Sequence, residues 1–487
     1  MKLAEIIQKI HPVEIQGDLN VEITGITQDS RMVVLGDLFI CTKGTKIDSH
    51  QFLEQVAASG AVAAIVEDFP AETYGMTIVQ VEQISLVLKE LAGAFYSYPD
   101  QQLQLIAVIG TNGKTTSTYL VKSILETAGY QVGLIGTNTN LIKDQPIATS
   151  NTTPGVLELQ KLFAQMVAAG VEYVVMEVSS HSIAQGRIAG LNFKSGIFTN
   201  ITQDHLDYHK TFEEYLRVKT QFFVDLPENS WAAINLDDPN GSGIAAQTKA
   251  KVIYYGIEAQ ADIRAENVQV TPTGASYTVV TTLGQLELKL SLTGYFNVYN
   301  SLGALAVGLS LGLDLESIKN GLEKVTGVPG RFQLVSGCNS FGVIVDYAHT
   351  PDGLENVLNT ARKLNPKRLL LTFGCGGDRD RTKRPIMGAL AAKLADLTII
   401  TSDNPRSEDP HQIIAEVEKG FQVLSSAKYL IEVDRATAIQ KLISLAEPGD
   451  IVLIAGKGHE TYQIFADHTI HFDDREIAQE ALEAKQG

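Results

Sequence analysis

The segment "GTNGKTT" (110–116) combines glycines, a lysine and two threonines, which are residue types that bind a phosphate chain. Backbone amides of a glycine turn and of a helix N-terminus favour an anion. Lys114 can reach the β- and γ-phosphates of a nucleotide, and the hydroxyl of Thr115 or Thr116 can bind Mg²⁺. The predicted phosphate-binding residues are Gly110, Thr111, Asn112, Gly113, Lys114, Thr115 and Thr116.

The spacing of this loop differs from the general GxxxxGK[ST] pattern. That pattern requires a glycine at position 108, where this chain has Val108. A plain glycine turn with a solvated Lys114 is a minor alternative, because an apolar strand precedes the loop and a helical pattern follows it. A kinase, an NTPase switch and an ATP-driven ligase all use such loops. The guanine-type [NT]KxD pattern occurs only as "TKID" (45–48), before the loop, which disfavours a GTPase.

Apolar strand segments alternate with helical patterns along most of the chain, which is typical of parallel sheets covered by helices. Residues 260–292 differ and predict two or three antiparallel strands. We predict an α/β protein of three domains. They are a small N-terminal α/β domain (1–98), a central P-loop-type domain with a mostly parallel sheet and helices on both faces (99–328), and a C-terminal Rossmann-like domain (329–487).

Composition excludes several classes of protein. The 487 residues carry 56 acidic and 39 basic side chains, and a net charge of -17 argues against nucleic acid as a partner. No apolar run is long enough to predict a membrane span. The three cysteines, Cys41, Cys338 and Cys375, form no CxxC pair, so we expect neither a disulfide framework nor a thiolate zinc site. A reduced cytoplasm is the expected compartment.

Ten motifs, taken in order, resemble the Mur ligase family, whose members form amide bonds in bacterial cell-wall precursors. The resemblance covers nearly the whole chain, and the order of the motifs makes it specific. The motifs are "GTNGKTT" (110–116), "NTTPG" (151–155), "MEVSSH" (176–181), "FTNITQDHLDYH" (198–209), "YFNVYN" (295–300), "VPGRFQ" (328–333), "DYAHTPD" (346–352), "FGCGGDRDRTKRP" (373–385), "DNPR" (403–406) and "GKGHE" (456–460).

The resemblance implies an ATP-dependent ligase. In this family the γ-phosphoryl group of ATP is transferred to a carboxylate, and an amine attacks the resulting acyl phosphate. The most similar branch adds a diamino acid to UDP-N-acetylmuramoyl-L-alanyl-D-glutamate, and "DNPR" is typical of its meso-2,6-diaminopimelate-adding members. The implied substrates are ATP, that UDP-muramoyl dipeptide and meso-diaminopimelate. The L-lysine-adding ligase of the same pathway remains an alternative.

The reaction brings several anions together, so metal ions and fixed donors must offset their repulsion. Glu177 and His205 follow predicted strands, at the sheet edge where open α/β sheets bind ligands. They are the candidate ligands for Mg²⁺ or Mn²⁺, together with Thr115. The family pattern alone singles out Lys219, which it implies to be an N6-carboxylysine whose carbamate, formed from CO₂, binds a second metal ion. Lys114, Glu177, His205 and Lys219 are the implied catalytic residues.

Further residues are assigned by the same resemblance. Adenine, ribose and γ-phosphate contacts are implied at Asn297, Arg331, Asp346 and His349. Contacts to the UDP-muramoyl dipeptide are implied at Ser30, Thr45, Lys46, Asn151, Thr152, Thr153, Ser179, Gln185 and Arg187. Arg187 suits this role physically, because a guanidinium forms a two-pronged contact with a carboxylate or phosphate.

The added amino acid defines the specificity question. Diaminopimelate exceeds lysine by one terminal carboxylate, and an arginine is the cation that best reads it. The implied pocket residues are Arg379, Asp403, Asn404, Pro405, Arg406, Gly456 and Glu460, with Glu460 facing the ammonium. Without the family, "DNPR" is a proline turn at a strand end.

Two other functions compete with this assignment. A folylpolyglutamate synthetase-like ligase shares the ATP chemistry, but it lacks the N-terminal uridine-binding domain and has no need of "DNPR". A nucleotide-dependent regulatory or assembly protein would leave Glu177, His205 and Arg406 unexplained. We expect a cytoplasmic monomer with no nucleic-acid or membrane partner.

Overall fold

A computed structural model describes residues 1–487 except 45, 46, 148, 150, 272, 336, 338, 339, 423, 425 and 487. The chain forms two compact units. Unit 1 contains residues 1–114, 128–234 and 238–253, and unit 2 contains residues 115–127, 235–237 and 254–487. No helix among the described residues has the length and apolar character needed to cross a membrane.

The N-terminal part of unit 1 is a five-stranded sheet in the order β1-β5-β4-β3-β2. Its strands from β2 to β5 pair in parallel, and β1 joins β5 antiparallel. Buried side chains of β3 and β4 form the centre of the core. The strands are β1 Glu14–Gln16, β2 Gly25–Thr27, β3 Asp37–Ile40, β4 Ala63–Val66 and β5 Thr77–Gln80, and the helices are α1 Leu3–Ile6, α2 Leu53–Ala58 and α3 Ile84–Tyr96.

Helix α3 ends shortly before Pro99. Helix α3 stops at Tyr96, and Ser97 and Tyr98 both adopt positive φ angles before Pro99 begins a short 3₁₀ turn. Proline disfavours a helical conformation in the residue before it, which explains the position of this end.

The second sheet of unit 1 is mostly parallel, as its apolar strands predict. Strand β6 lies between β10 and β11, and the order is β12-β11-β6-β10-β7-β8-β9. Short antiparallel strands β8 and β9 form one edge. The strands are β6 Gln104–Ile109, β7 Val132–Ile135, β8 Asn140–Ile142, β9 Gln145–Ile147, β10 Tyr173–Val178, β11 Phe193–Phe198 and β12 Trp231–Asn235. The helices are α5 Val156–Ala168, α6 Ser180–Ala184, α7 Leu206–His209, α8 Phe212–Val224 and α9 Gly241–Ala245. Helix α4 Lys114–Thr127 belongs to unit 2, except for its first residue.

Unit 2 contains the antiparallel segment predicted for residues 260–292. Strand β15 pairs antiparallel with both β14 and β16, and helices α10 and α11 follow these strands. These elements are β14 Ile263–Thr271, β15 Gly274–Thr281, β16 Gly284–Leu290, α10 Tyr295–Ser310 and α11 Leu315–Glu323. Strand β13 Lys251–Gly256 precedes them, and its first three residues belong to unit 1.

The remainder of unit 2 is a Rossmann-like layer structure. Its sheet has the order β17-β18-β22-β19-β20-β21, parallel except for β17, and apolar clusters cover both faces. The strands are β17 Gln333–Leu334, β18 Gly342–Asp346, β19 Leu369–Phe373, β20 Leu397–Ile400, β21 Tyr429–Ile431 and β22 Ile451–Ala455. A hairpin, β23 Tyr462–Ile464 and β24 Thr469–His471, follows β22. The helices are α12 Pro351–Lys363, α13 Lys383–Leu394, α14 Pro410–Phe421, α15 Arg435–Ser444 and α16 Asp474–Gln486.

Candidate active site

The predicted phosphate loop (110–116) begins at Gly110, directly after β6. A Cβ at this position would overlap the hydroxyl of Thr199, so only glycine fits. The loop is held by the residues that follow the neighbouring strand β11. The amide of Thr111 donates to the carbonyl of Asn200 at 2.9 Å, and the amide of Asn112 donates to the Asn200 side-chain oxygen at 3.0 Å. These two hydrogen bonds were not predicted, although Asn200 lies within the motif "FTNITQDHLDYH".

Lys114 folds back over its own loop. Its Nζ donates to the carbonyl of Gly110 at 3.0 Å and to that of Thr111 at 2.8 Å. Gly113 has a φ of +85°, which favours glycine just before helix α4. In unit 2, Thr115 and Thr116 are buried in the first turn of that helix.

Lys219 lies on α8 and is fully buried, with Nζ donating to the carbonyl of Gly110 at 2.6 Å. Burial, and then the charge of Lys114, lower the pKa of Lys219 well below its usual value of 10.5. Tyr215, one turn earlier, contacts Thr111 through its hydroxyl at 3.0 Å. The structure therefore places the amine of Lys219, with a weakened affinity for a proton, against the phosphate loop.

Glu177 is the penultimate residue of the buried strand β10, and Thr137 holds its carboxylate. Thr137, which follows β7, donates its amide to Oε1 at 2.9 Å and its hydroxyl to Oε2 at 3.1 Å. A Cβ at Gly136 would overlap Oε1, so this position also requires glycine. An ionised carboxylate has about four acceptor sites, and among the described residues Thr137 fills two of those of Glu177. Sequence reasoning did not identify Thr137.

His205 belongs to a group of aromatic rings after β11. Its φ is +53°, an uncommon conformation outside glycine, and its ring centroid lies 4.9 Å from that of His181. Its Nε2 is 3.5 Å from a carboxylate oxygen of Asp204, and its side chain is 46% exposed. Neighbouring His209 is buried instead, with Nε2 at 2.8 Å from the hydroxyl of Ser180. His205 is therefore the more accessible imidazole of this pair.

Thr153 and Arg187 connect the segment before α5 to the segment that follows β10. The hydroxyl of Thr153 donates to the carbonyl of Glu177 at 2.9 Å and accepts from the amide of Ser179 at 3.1 Å. Arg187 donates to the carbonyl of Thr153 at 2.7 Å and holds the side-chain oxygen of Gln185 between Nε and NH2. The structure thus brings together four of the residues assigned to the muramoyl dipeptide.

The other residues assigned to that substrate are more dispersed. Thr152 lies beside Thr137, with their hydroxyls 3.0 Å apart, and the carbonyl of Asn151 accepts from Thr149. Ser30 is half-buried in the turn that follows β2. Thr45 and Lys46 lie outside the described residues.

In unit 2, Asn297 is buried in the first turn of α10. Its Nδ2 donates to the carbonyl of Thr293 at 2.9 Å, and its Oδ1 accepts from Asn300 at 3.0 Å. Two residues on, the hydroxyl of Tyr299 donates to Asp237 at 2.8 Å. The amide of Asn297 therefore has a defined orientation at the start of this helix.

Arg331, Asp346 and His349 lie close together at the start of the Rossmann-like sheet. Asp346 accepts the amides of Phe332 and Ala348, and burial raises its pKa although Arg331 opposes this. The Arg331 guanidinium lies 5.1 Å from the centre of the Tyr347 ring. Burial lowers the pKa of His349, whose Nδ1 lies 2.8 Å from the carbonyl of Tyr347.

The "DNPR" loop follows β20 and lies beside the glycine loop that follows β19. The amide of Gly377 donates to the carbonyl of Asn404 at 2.9 Å, and Arg406 NH1 donates to the carbonyl of Gly377 at 2.9 Å. A Cβ at Gly377 would overlap the carbonyl of Pro405. Arg406 has a φ of +52°, and its amide donates to Ile464 of the hairpin. Arg379 is exposed on the glycine loop, where NH1 donates to the carbonyl of Asp378 at 3.1 Å.

The "GKGHE" segment meets this loop through a buried polar group. Asn404 Nδ2 donates to Glu460 Oε2 at 2.9 Å. Gly456 has a φ of +119°, and a Cβ there would lie 2.9 Å from a carboxylate oxygen of Asp403. Lys457, which sequence reasoning passed over, is fully buried and donates to both Asn404 and Glu460. The structure thus brings Glu460 to Asp403 and Asn404, although Asn404 and Glu460 are 56 residues apart in sequence.

Family models match three successive parts of the chain. They are the Mur ligase family catalytic domain over residues 22–96, the Mur ligase middle domain over 108–308, and the glutamate ligase domain over 330–458. A protein of Clostridium acetobutylicum is 45% identical over 484 residues, covering 99% of both chains. The chain belongs to the Mur ligase family.

Solved structures of this family have the same fold. A structure titled as a UDP-N-acetylmuramoyl-L-alanyl-D-glutamate--2,6-diaminopimelate ligase matches with a TM-score of 0.70 and 32% identity, covering 100% of this chain and 99% of that one. The Clostridium acetobutylicum relative carries the same name, with the numeral 1. A folylpolyglutamate synthase of Mycobacterium tuberculosis has a TM-score of 0.61 at 18% identity over 77% of this chain, which shows a shared fold alone. The protein is therefore an ATP-dependent ligase with the three-domain α/β architecture of Mur ligases, as predicted.

Proposed function

We propose that this Mur ligase adds meso-2,6-diaminopimelate to the D-glutamate carboxylate of UDP-N-acetylmuramoyl-L-alanyl-D-glutamate, using ATP, during peptidoglycan precursor synthesis in the cytoplasm. The domains proposed to bind the UDP end, ATP and the amino acid are residues 1–98, 99–328 and 329–487. The names of the full-length relatives support this substrate assignment.

One observation carries the choice of amino acid. Arg406 and Glu460 are held in neighbouring loops at the carboxyl ends of parallel strands, and both loops are tied to the hairpin strand β23 or to each other. A cation and an anion at one edge of a sheet suit the carboxylate and ammonium of an α-amino acid end. Lysine has no distal carboxylate and would leave Arg406 without its partner.

The phosphate loop supplies the first chemical step. We propose that the amides and Lys114 of residues 110–116 bind the β- and γ-phosphates. Lys114 already lies over this loop, where its Nζ donates to the carbonyls of Gly110 and Thr111. The D-glutamate carboxylate attacks the γ-phosphorus, ADP leaves, and an acyl phosphate forms. The neutral amine then attacks the acyl carbon, loses a proton, and phosphate leaves as the amide forms.

Asn297, Arg331, Asp346 and His349 are the proposed contacts to the rest of the nucleotide. Arg331 suits an anion, because its Nε is buried and has no hydrogen-bond partner among the described residues. Its charge would oppose the negative charge that accumulates on the transferred phosphoryl group.

The donor set of unit 1 fits a divalent metal ion. Glu177 offers free acceptor sites on a carboxylate already oriented by Thr137, and His205 offers an accessible imidazole. We propose that Glu177 and His205 hold Mg²⁺ or Mn²⁺, with the Thr115 hydroxyl as a further ligand on the nucleotide side. When bound, the ion neutralises phosphate charge.

Lys219 is the proposed carbamylated residue. An ammonium cannot bind a metal ion, but a neutral amine can attack CO₂ to form a carbamate and release a proton. The lowered pKa of Lys219 increases the neutral fraction, which supports this assignment. The carbamate would add a negative ligand beside Gly110.

The muramoyl dipeptide is proposed to lie along Ser30, Thr45, Lys46, Asn151, Thr152, Thr153, Ser179, Gln185 and Arg187. The Arg187 guanidinium is held by Gln185 and Thr153, so its orientation is set before an anionic ligand binds. Such preorganisation reduces the entropy lost on binding.

An amino-acid panel tests the proposal. Purified protein is incubated with ATP, Mg²⁺ and the UDP-muramoyl dipeptide, and ADP release and product mass are measured with meso-diaminopimelate, L-lysine or L-glutamate. We expect ADP release only with both the dipeptide and diaminopimelate. Product formation with lysine at a similar kcat/KM would instead identify the lysine-adding branch. ATP turnover without acceptor or amine would contradict the ligase assignment, and activity with a folate acceptor would indicate the folylpolyglutamate-like alternative. Sedimentation of the purified chain tests the proposed monomer.

A further inference from the structure

Lys457 stands at the centre of the polar group that joins the "DNPR" and "GKGHE" segments. Its ammonium is fully buried and lies 3.0 Å from Asn404 Oδ1, 3.2 Å from Glu460 Oε2 and 3.7 Å from Asp403 Oδ1. A buried charge is stable only when it is paired and hydrogen-bonded. Two carboxylates and an amide oxygen meet that requirement here.

The same contacts determine which way the Asn404 amide faces. Its Oδ1 accepts two hydrogen bonds, from Lys457 Nζ and from the amide of Ile464, both at 3.0 Å. If the amide group were rotated by half a turn, both donors would face its nitrogen, which is itself a donor and cannot accept a hydrogen bond. The nitrogen, Nδ2, is consequently left to donate to Glu460 Oε2 at 2.9 Å.

Glu460 is held by only one of its two oxygens. Oε2 accepts from both Lys457 and Asn404, whereas Oε1 has no hydrogen-bond partner within the described part of the chain. The carboxylate is thus fixed in orientation while one oxygen stays available. A ligand ammonium would gain an acceptor that needs no rearrangement on binding.

We propose that Lys457 is a positioning residue for amino-acid recognition, which fixes the Asn404 amide and presents Glu460 Oε1 to the distal ammonium of the incoming amino acid. This inference rests on the proposed function of the site. Lys457 itself contacts no substrate, because its ammonium is enclosed by its three protein partners.

The charge balance of the site gives the inference a second support. Asp403 and Glu460 would repel each other and the carboxylate of an amino acid if no cation lay between them. Lys457 offsets one of these charges. With Arg406 the four side chains have no net charge, which suits a zwitterionic amino-acid end.

The test compares Lys457→Met with Arg368→Met. Arg368 pairs with the buried Asp450 at the opposite end of β22. Its loss therefore also leaves a buried carboxylate without its counterion, but away from the site. We expect Lys457→Met to raise the KM for diaminopimelate by about 10- to 100-fold, as for a lost charged hydrogen-bond partner, and the KM for ATP by less than about threefold. Arg368→Met should lower thermal stability without raising the KM for diaminopimelate.

A double-mutant cycle with Glu460→Gln separates positioning from general damage. If Lys457 acts through Glu460, Lys457→Met should cost much less in the Glu460→Gln background, so that the two effects on the diaminopimelate KM are clearly less than multiplicative. The inference would be overturned if the effects of the two substitutions on the diaminopimelate KM multiplied. It would also be overturned if Lys457→Met raised the KM for diaminopimelate and the KM for ATP equally.

Folding loss is controlled by a second variant and by calorimetry. Lys457→Arg keeps the charge, and it should retain more affinity for diaminopimelate than Lys457→Met in direct titration, whatever the turnover. An unchanged affinity in a folded Lys457→Met protein would refute positioning. The wild-type chain is measured first, and failure to use diaminopimelate refutes the proposed function. If the wild type uses diaminopimelate and Lys457→Met binds it with unchanged affinity, only this inference is refuted.

Discussion

Replacement of Arg406 by methionine tests how this ligase distinguishes its amine substrates. Arg406 is half-buried, and its only side-chain bond among the described residues runs to the carbonyl of Gly377. Methionine keeps the apolar stem and the Cβ at a φ of +52°, so backbone strain is the same in both proteins. The change therefore removes chiefly the guanidinium.

The magnitude follows from the contacts that the guanidinium would make. A charged hydrogen bond contributes about 1.5–3 kcal/mol, and two bonds from one fork are not fully additive at a half-exposed position. We take about 3 kcal/mol for the pair, which corresponds to roughly a 150-fold change. Lysine lacks the distal carboxylate and should lose almost nothing.

The assay measures kcat/KM for diaminopimelate and for lysine by ADP release, in wild-type and Arg406→Met protein. We expect the value for diaminopimelate to fall by roughly 100- to 200-fold, while that for lysine changes by less than about threefold. Arg381→Met is the matched control, because Arg381 lies on the same glycine loop but pairs with Glu416. A similar fall for both amines would refute recognition of the distal carboxylate by Arg406.

Three further predictions concern the other groups of the site. Lys219→Ala should abolish turnover, and added bicarbonate should not restore it, because no amine remains to be carbamylated; wild-type-like turnover would remove Lys219 from the site. Thr137→Val should raise the Mg²⁺ concentration for half-maximal activity by about tenfold, since it removes the hydroxyl that holds Glu177 Oε2 and leaves only the amide bond to Oε1, whereas Thr137→Ser should stay near wild type. An unchanged Mg²⁺ dependence in Thr137→Val would contradict that role. Burial, assisted by Arg331, lowers the pKa of His459 to about 4 from 6.5, so the unfolded chain binds more protons between these values. The free energy of unfolding should therefore fall by about 3 kcal/mol as the pH drops from 6.5 to 4, and His459→Gln should lose most of this dependence in denaturant titrations. Equal pH dependence in the two proteins would exclude His459 as its source.

Sequence patterns predicted the elements whose signals are local. Strands β6, β19 and β22 lie where largely hydrophobic runs predict strands, because a central parallel strand is buried on both faces. The short edge strands β8 and β9 and the hairpin β23–β24 were not predicted. They carry few buried side chains, so their pairing depends on neighbouring segments rather than on a hydrophobic pattern of their own.

The site was predictable to a similar degree. The ordered motifs identified the family and named Glu177, Arg406 and Glu460 as candidates. They could not identify Thr137 or Lys457, which resemble ordinary loop residues in the sequence. Each becomes important only because a distant segment places a carboxylate beside it.

The sequence alone determined that this protein is a Mur ligase, because glycine positions, charged residues and strand patterns recur in a fixed order. Only the tertiary structure decided how those residues are held. The carboxyl ends of parallel strands in one sheet bring Gly110 to Thr199, Glu177 to Thr137 and Asn404 to Lys457, although each pair is separated by 40 or more residues in the chain. Hydrogen bonding and burial act over a few ångströms, and sequence separation carries no information about such distances until the sheet has formed.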